Sequence, residues 1–125
     1  MKQIETAHAP AAVGPYTQAI EANGMLYTSG QIPLDPRSGR IDAEGIEAQT
    51  AQAIRNLAAV LEAAGSSLEK VVKTTCFLRS MDDFAAFNAV YAAFFTGKPA
   101  RSCVEVSALP KGALVEIEAI AETGP

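Results

Sequence analysis

The sequence has one histidine, two cysteines and no tryptophan, and these shortages remove whole classes of chemistry. The histidine, His8, sits near the N-terminus among Ala and Pro, with no second His and no CxxC beside it. A zinc site or a Ser-His-Asp triad therefore lacks its residues, so no metal site is expected and His8 reads as a solvated terminal side chain. Cys76 and Cys103 fall inside strand-like runs and read as two reduced, packed thiols rather than a disulfide. Cations are scarce too: ten Lys and Arg against fourteen Asp and Glu leave a net charge of −4 and a pI near 4.9. No run of four basic residues occurs. Nucleic acids and anionic membranes both require clustered cations, so neither partner is expected. No apolar segment approaches the roughly 20 residues that span a bilayer, and Met1-Lys2-Gln3-Ile4-Glu5 lacks the apolar stretch of a secretory signal. The chain is read as cytoplasmic.

What is present suits a packed globule. Hydrophobic residues make up 49% and charged residues 19%, which argues against disorder. A length of 125 residues fits a single domain, 1–125, with one core. Residues 16–20 read as a strand, and Asn23-Gly24 as the turn of a hairpin into residues 25–29. Gly30 ends that strand, and Pro33, Asp35-Pro36 and Ser38-Gly39 mark an irregular loop. Ile54, Leu57, Ala58, Leu61 and Ala64 follow helical spacing, predicting a helix over about residues 45–64 capped by Gly65. Residues 71–79 read as a strand. Asp82 is the expected N-cap of a second helix reaching residue 95, with Phe84, Phe87, Tyr91, Phe94 and Phe95 on it.

The order is β-β-β-α-β-α-β-β. Right-handed crossovers then put both helices on one face of one sheet, giving a two-layer α+β sandwich. One sheet face is left bare. It carries Val72, Thr74, Cys76 and Leu78, or Val71, Lys73, Thr75 and Phe77, depending on register. Neither set is polar enough for water, so a closed oligomer covering that face is expected.

The last two strands carry the charges of interest. Side chains alternate along a strand, so Arg101, Cys103 and Glu105 share one face of residues 99–107. Glu116, Glu118 and Ile120 share one face of residues 114–121, opposite Val115, Ile117, Ala119 and Ala121. Charges of this kind are seldom buried without a partner, and the set predicts a small-molecule pocket with a fixed cation and a base. Direct pairing of Ser107 with Leu114 would set Glu105 opposite Glu116, an unfavourable like-charge pair. The last strand is therefore expected to insert elsewhere in the sheet. On residues alone, an ion pair of Arg101 with Glu105, Glu116 or Glu118 stands level with a ligand-binding role.

Several stretches, in this order, resemble one family: residues 9–19 (APAAVGPYTQA), Tyr27-Thr28-Ser29-Gly30-Gln31-Ile32-Pro33, Val72-Lys73-Thr74-Thr75, Asp83-Phe84 through Asn88-Ala89-Val90-Tyr91, Pro99-Ala100-Arg101-Ser102-Cys103-Val104-Glu105-Val106 and Val115 through Ala121. Almost end to end, the chain resembles the RidA family, also called YjgF/UK114. The resemblance implies a chorismate-mutase-like α+β fold and a homotrimer with clefts between subunits. It implies cofactor-free hydrolysis of 2-imino acids, such as 2-iminopropanoate and 2-iminobutanoate, to 2-keto acids and ammonia. It places the grip on the substrate carboxylate at Arg101 and the handling of water at Glu116, although Glu118 has the same face. Tyr16, Ser29, Gly30, Asn88 and Cys103 are the implied pocket contacts. The chain departs from the family in keeping only Thr96-Gly97-Lys98 before Pro99, a shorter loop than usual. Two other readings stay open: a non-catalytic binder of small 2-keto acids and, third, an RNA-cleaving activity that the charge balance opposes.

Overall fold

A computed structural model describes residues 1–124. The strands are β1 (Lys2–Ile4), β2 (Ala19–Ala22), β3 (Met25–Thr28), β4 (Val71–Leu78), β5 (Ala100–Glu105) and β6 (Val115–Glu122); the helices are α1 (Gly45–Ala63) and α2 (Phe84–Phe94). The order along the chain is the expected one. Asn23 and Gly24, both at positive φ (52° and 78°), make the hairpin turn between β2 and β3, a geometry that suits the twist of the flanking strands. Two boundaries differ from expectation. Tyr16 and Thr17 precede β2, because the Gln18 side chain holds this stretch to the residue 6–10 loop and not to a neighbouring strand. The cap before α2 is Ser80, not Asp82. The Ser80 hydroxyl accepts from the Asp82 N–H at 3.2 Å, and a 3₁₀ turn, Met81–Asp83, leads into the helix.

The six strands form one mixed sheet in the order β1-β2-β3-β6-β4-β5. The last strand does insert away from β5: β6 runs antiparallel to both β3 and β4, and β5 lies parallel to β4 at the edge. Glu105 and Glu116 thereby avoid direct opposition.

Both helices cover one face. There Leu26, Thr74, Cys76, Leu78, Val115, Ile117, Ala119 and Ala121 pack under Ile54, Leu57, Leu61 and Phe87, all buried. Truncating a fully buried ring such as Phe87 to Ala costs about 3–5 kcal/mol in sites of this kind. The opposite face carries Lys73, Thr75 and Phe77 from β4, Glu116, Glu118 and Ile120 from β6, Val104 from β5 and Tyr27 from β3. Tyr27 and Val104 are each 46% exposed, so this face of mixed charged and apolar side chains is bare in the single chain. Among the described residues no helix is long and apolar enough to cross a membrane.

Candidate functional site

The seven residues singled out from the sequence fall into two groups on opposite sides of the sheet. Strand register decides this. Thr74 pairs with Arg101 and Cys76 with Cys103, and since Thr74 and Cys76 face the helices, so do Arg101 and Cys103. Phe77 pairs with Glu116, and both point to the bare face. The expectation of one pocket holding cation and base together is therefore corrected for the isolated chain. Alternation had been read correctly within each strand, but which face of β5 matches which face of β6 is a property of pairing through β4.

The cation group sits between β5 and α2. The Arg101 guanidinium lies over the rings of Tyr91, Phe84 and Phe87, at 4.8, 5.5 and 5.8 Å from their centroids. Its Nη1 donates to Asn88 Oδ1 at 2.7 Å. Three aromatics of α2 meet the guanidinium, because helical spacing stacks them over the same edge strand. Among the described residues Arg101 makes no salt bridge, the one ion pair being Arg40 with Asp42 on the surface. A half-buried guanidinium held by π faces and one neutral amide keeps its charge uncompensated. Tyr91, Phe95, Lys98, Pro99 and Arg101 line a cavity of about 480 Å³ here, with Lys98, from the short loop, at φ 53°. Tyr91 is itself anchored by a 2.7 Å hydrogen bond with the Thr74 hydroxyl. The two thiols are free. Burial pushes the Cys76 thiol up to about 12 and raises that of Cys103, with Arg101 opposing the rise, so neither resembles an activated nucleophile.

The acid group lies on the other side, where β3 leaves β6. Past Thr28 the two strands touch again only through Gln31 and Ile117, which exchange both backbone bonds at 2.8 and 3.1 Å. Gly30 sits in the gap. A Cβ there would lie 2.1 Å from Glu116 Oε2, so only glycine lets the carboxylate fold against the backbone. Burial raises the Glu116 pKa above the usual carboxylate value, and the neighbouring Glu118 raises it further. A cavity of about 470 Å³ opens beside it, lined by residues that include Pro10, Tyr16, Ser29, Gly30, Ile32 and Glu116. Ser29 offers no free donor there: its N–H donates to Gln18 O at 2.9 Å and its hydroxyl to Thr17 O at 2.6 Å. Tyr16 is half exposed on the rim.

Among the described residues no group of three or more His, Cys, Asp or Glu is placed to hold a metal ion. Sequence reasoning passed over Gln18, Gln49 and Asn56, three buried carboxamides around the acid cavity. A polar side chain in an apolar-spaced run was the available signal.

Comparison with known proteins shows the family. A family model described as Endoribonuclease L-PSP matches residues 6–123. A Salmonella typhimurium protein named 2-iminobutanoate/2-iminopropanoate deaminase is 52% identical over 124 residues, covering 96% of each chain. A mouse protein of the same name is 48% identical over 125 residues, covering 99% of this chain and 93% of its own. Among solved structures, Escherichia coli TdcF with bound serine superposes with a TM-score of 0.94 at 43% identity, covering 99% of this chain and 100% of that one. With the match running from the first loop to the last strand, the chain belongs to the Endoribonuclease L-PSP family, the RidA and YjgF group that its motifs resemble.

Proposed function

We infer that the chain is a 2-iminobutanoate/2-iminopropanoate deaminase, a hydrolase that converts short 2-imino acids to 2-keto acids and ammonia, acting in the cytoplasm. The observation that carries the reading is the unpaired guanidinium of Arg101, which three aromatic rings and Asn88 hold in place without neutralising it. A planar carboxylate is its natural complement, since the donors not committed to Asn88 can bond both oxygens. In the reaction a water oxygen bonds the imine carbon as Glu116 takes a proton from that water. The C=N electron pair moves onto the nitrogen of the protonated imine, giving an amino-alcohol. Glu116 returns the proton to that nitrogen, and as the C–N bond breaks the hydroxyl proton passes to the carboxylate, C=O forms and ammonia leaves. A carboxylate of raised pKa is a suitable base for this step, and such help is typically worth about 10²–10⁴-fold.

One chain cannot bring Arg101 and Glu116 to the same substrate, because the sheet lies between them. The proposal therefore includes a homotrimer in which the bare sheet faces meet and each cleft takes Arg101, Asn88 and Cys103 from one copy and Glu116, Gly30, Ser29 and Tyr16 from the next. The exposed Tyr27 and Val104 support a covered face. Ammonia release from freshly generated 2-iminobutanoate tests the reading. Arg101→Ala is expected to reduce kcat/KM by about 10²-fold or more, the loss of two charge-assisted hydrogen bonds, while the fold persists. Unchanged turnover in that variant would sink the assignment, and tight 2-oxobutanoate binding without turnover in the native protein would favour a binder.

A further inference from the structure

The acid cavity is enclosed by chain that has no regular structure, and its walls need some other fastening. Residues 10–16 line it on one side, residues 29–34 on a second and the Pro110-Lys111 turn on a third. Backbone in such segments lacks ladder partners, and its buried polar groups must be satisfied by side chains or water. Three carboxamides meet that need, each at least nine-tenths buried: Gln18 at 3%, Gln49 at 7% and Asn56 at 1% exposure.

Their bonds go to the walls. Gln18 Oε1 accepts from the Thr6 N–H at 2.7 Å, while its Nε2 faces the carbonyls of Thr6, Ala9 and Pro10 at 3.1, 3.4 and 2.8 Å. One side chain thus ties the chain leading into the first wall, Thr6 to Pro10, to the entry of β2. Asn56, from α1, donates through Nδ2 to the Ile32 and Leu34 carbonyls at 3.1 and 2.8 Å, and Gln52 Nε2 donates to its Oδ1 at 2.9 Å. Gln49 Oε1, one helical turn earlier, accepts from the Leu114 N–H at 2.9 Å, and its Nε2 donates to Ala43 O at 3.2 Å. Leu114 lies two residues before Glu116, between the third wall and the base.

We propose that Gln18, Gln49 and Asn56 are positioning residues of the deaminase site: they fix the three irregular walls of the Glu116 cavity and so set the place and the dryness of its carboxylate. The inference rests on the functional reading given above but makes a claim about the cavity that can be read separately. Gln49 and Asn56 stand outside the cavity lining and Gln18 is part of it, and each acts through the backbone it holds. An error of about 1 Å in such a wall is enough to cost on the order of 10²-fold in rate.

The dryness can be read directly. Burial is the first cause of the raised Glu116 pKa and Glu118, on its own strand, the second. Lys111 and Tyr16 are the other titratable groups of the same chain lining the cavity, and in the proposed trimer the Arg101 guanidinium of the next copy faces Glu116 across the cleft and acts equally in all the variants compared. Loosening a wall admits water and brings the Glu116 midpoint down. The experiment compares Gln18→Met and Asn56→Leu with Ser66→Ala. Ser66 Oγ donates to Glu122 O at 2.7 Å, a part-buried bond at the far end of β6, so its loss reports general destabilisation alone. For each variant the Glu116 carboxyl is titrated by carbon-13 NMR, and kcat and KM are measured on 2-iminobutanoate. The expected result is a lowered Glu116 midpoint and a fall of about 10-fold or more in kcat/KM for Gln18→Met and Asn56→Leu, with neither change for Ser66→Ala. A midpoint that stays put in both wall variants overturns the proposal, as does the same change in all three. Should the native protein release no ammonia, the functional reading fails while the titration still decides the cavity claim. Should a wall variant not fold, amide exchange in the native protein decides. The Thr6 and Leu114 N–H groups, both donated to carboxamide oxygens, must exchange as slowly as the β4–β6 ladder, and fast exchange overturns the proposal.

Discussion

The two halves of the site are built on different principles. The cation half stands on regular structure: Arg101 on an edge strand, with Asn88 and three rings on a helix above it. The acid half stands on irregular structure, a carboxylate folded into the gap that Gly30 leaves between two strands. A guanidinium stays charged in almost any surroundings, so the cation needs only orientation, which stacked rings and one amide supply. A carboxylate changes its chemistry with its surroundings, so the base needs an enclosure, and enclosures are made from loops. The sheet between the halves keeps the cation and the base of one chain from neutralising each other.

That contrast can be broken at four points. Glu116→Gln keeps the shape of the acid half and removes its base; kcat on 2-iminobutanoate is expected to fall by about 10²–10⁴-fold, with binding of 2-oxobutanoate by calorimetry changed far less. Next comes complementation between copies. Arg101→Ala and Glu116→Gln, unfolded together and refolded as a mixture, are expected to regain roughly a quarter of native activity, since a cleft built from two copies draws each intact half independently. A mixture no more active than its components would show that the halves do not serve one cleft. Gly30→Ala should displace the carboxylate, because the new methyl group would overlap Glu116 Oε2. A loss of about 10–100-fold in kcat/KM is expected, with anion binding at Arg101 intact.

The smallest effect is on pH. Activity that needs ionised Glu116 falls as pH drops through its raised pKa, so the acid limb of kcat/KM lies above the ordinary carboxylate value. Glu118→Gln removes the second cause of the rise and is expected to move that limb to lower pH. Stability has the opposite sign from the usual carboxylate case. A Glu whose pKa is raised by folding favours the protonated native state. Its charge therefore costs nothing below the unfolded value, costs progressively more between the two values, and costs a constant amount above both. Glu116→Gln should be more stable than the native chain at neutral pH and equal to it in acid, as read by thermal unfolding across pH.

Much of the fold was legible because local signals agreed with the global answer. The apolar stripe of α1, the Asn23-Gly24 turn and the alternation in β6 each specify one outcome, and the like-charge argument on Glu105 and Glu116 correctly moved β6 away from β5. The misplaced entry of β2 and the Ser80 cap were illegible for a shared reason. Each depends on which of several adjacent polar residues wins a hydrogen bond, and sequence spacing does not rank them. Candidate site residues could be named from the sequence, but not their arrangement. Ser29, an implied pocket contact, has its hydrogens spent on Thr17 and Gln18.

Residue types and their spacing were enough to predict the secondary-structure order, and the motifs to mark the family, since these rest on periodicities and side-chain properties that every residue carries locally; the roles of one arginine and one glutamate came only as what that resemblance implies. Only the folded chain could assign Arg101 and Glu116 to opposite faces of the sheet and lift the Glu116 pKa. Those outcomes follow from strand order and register, which are fixed by contacts between segments far apart along the chain.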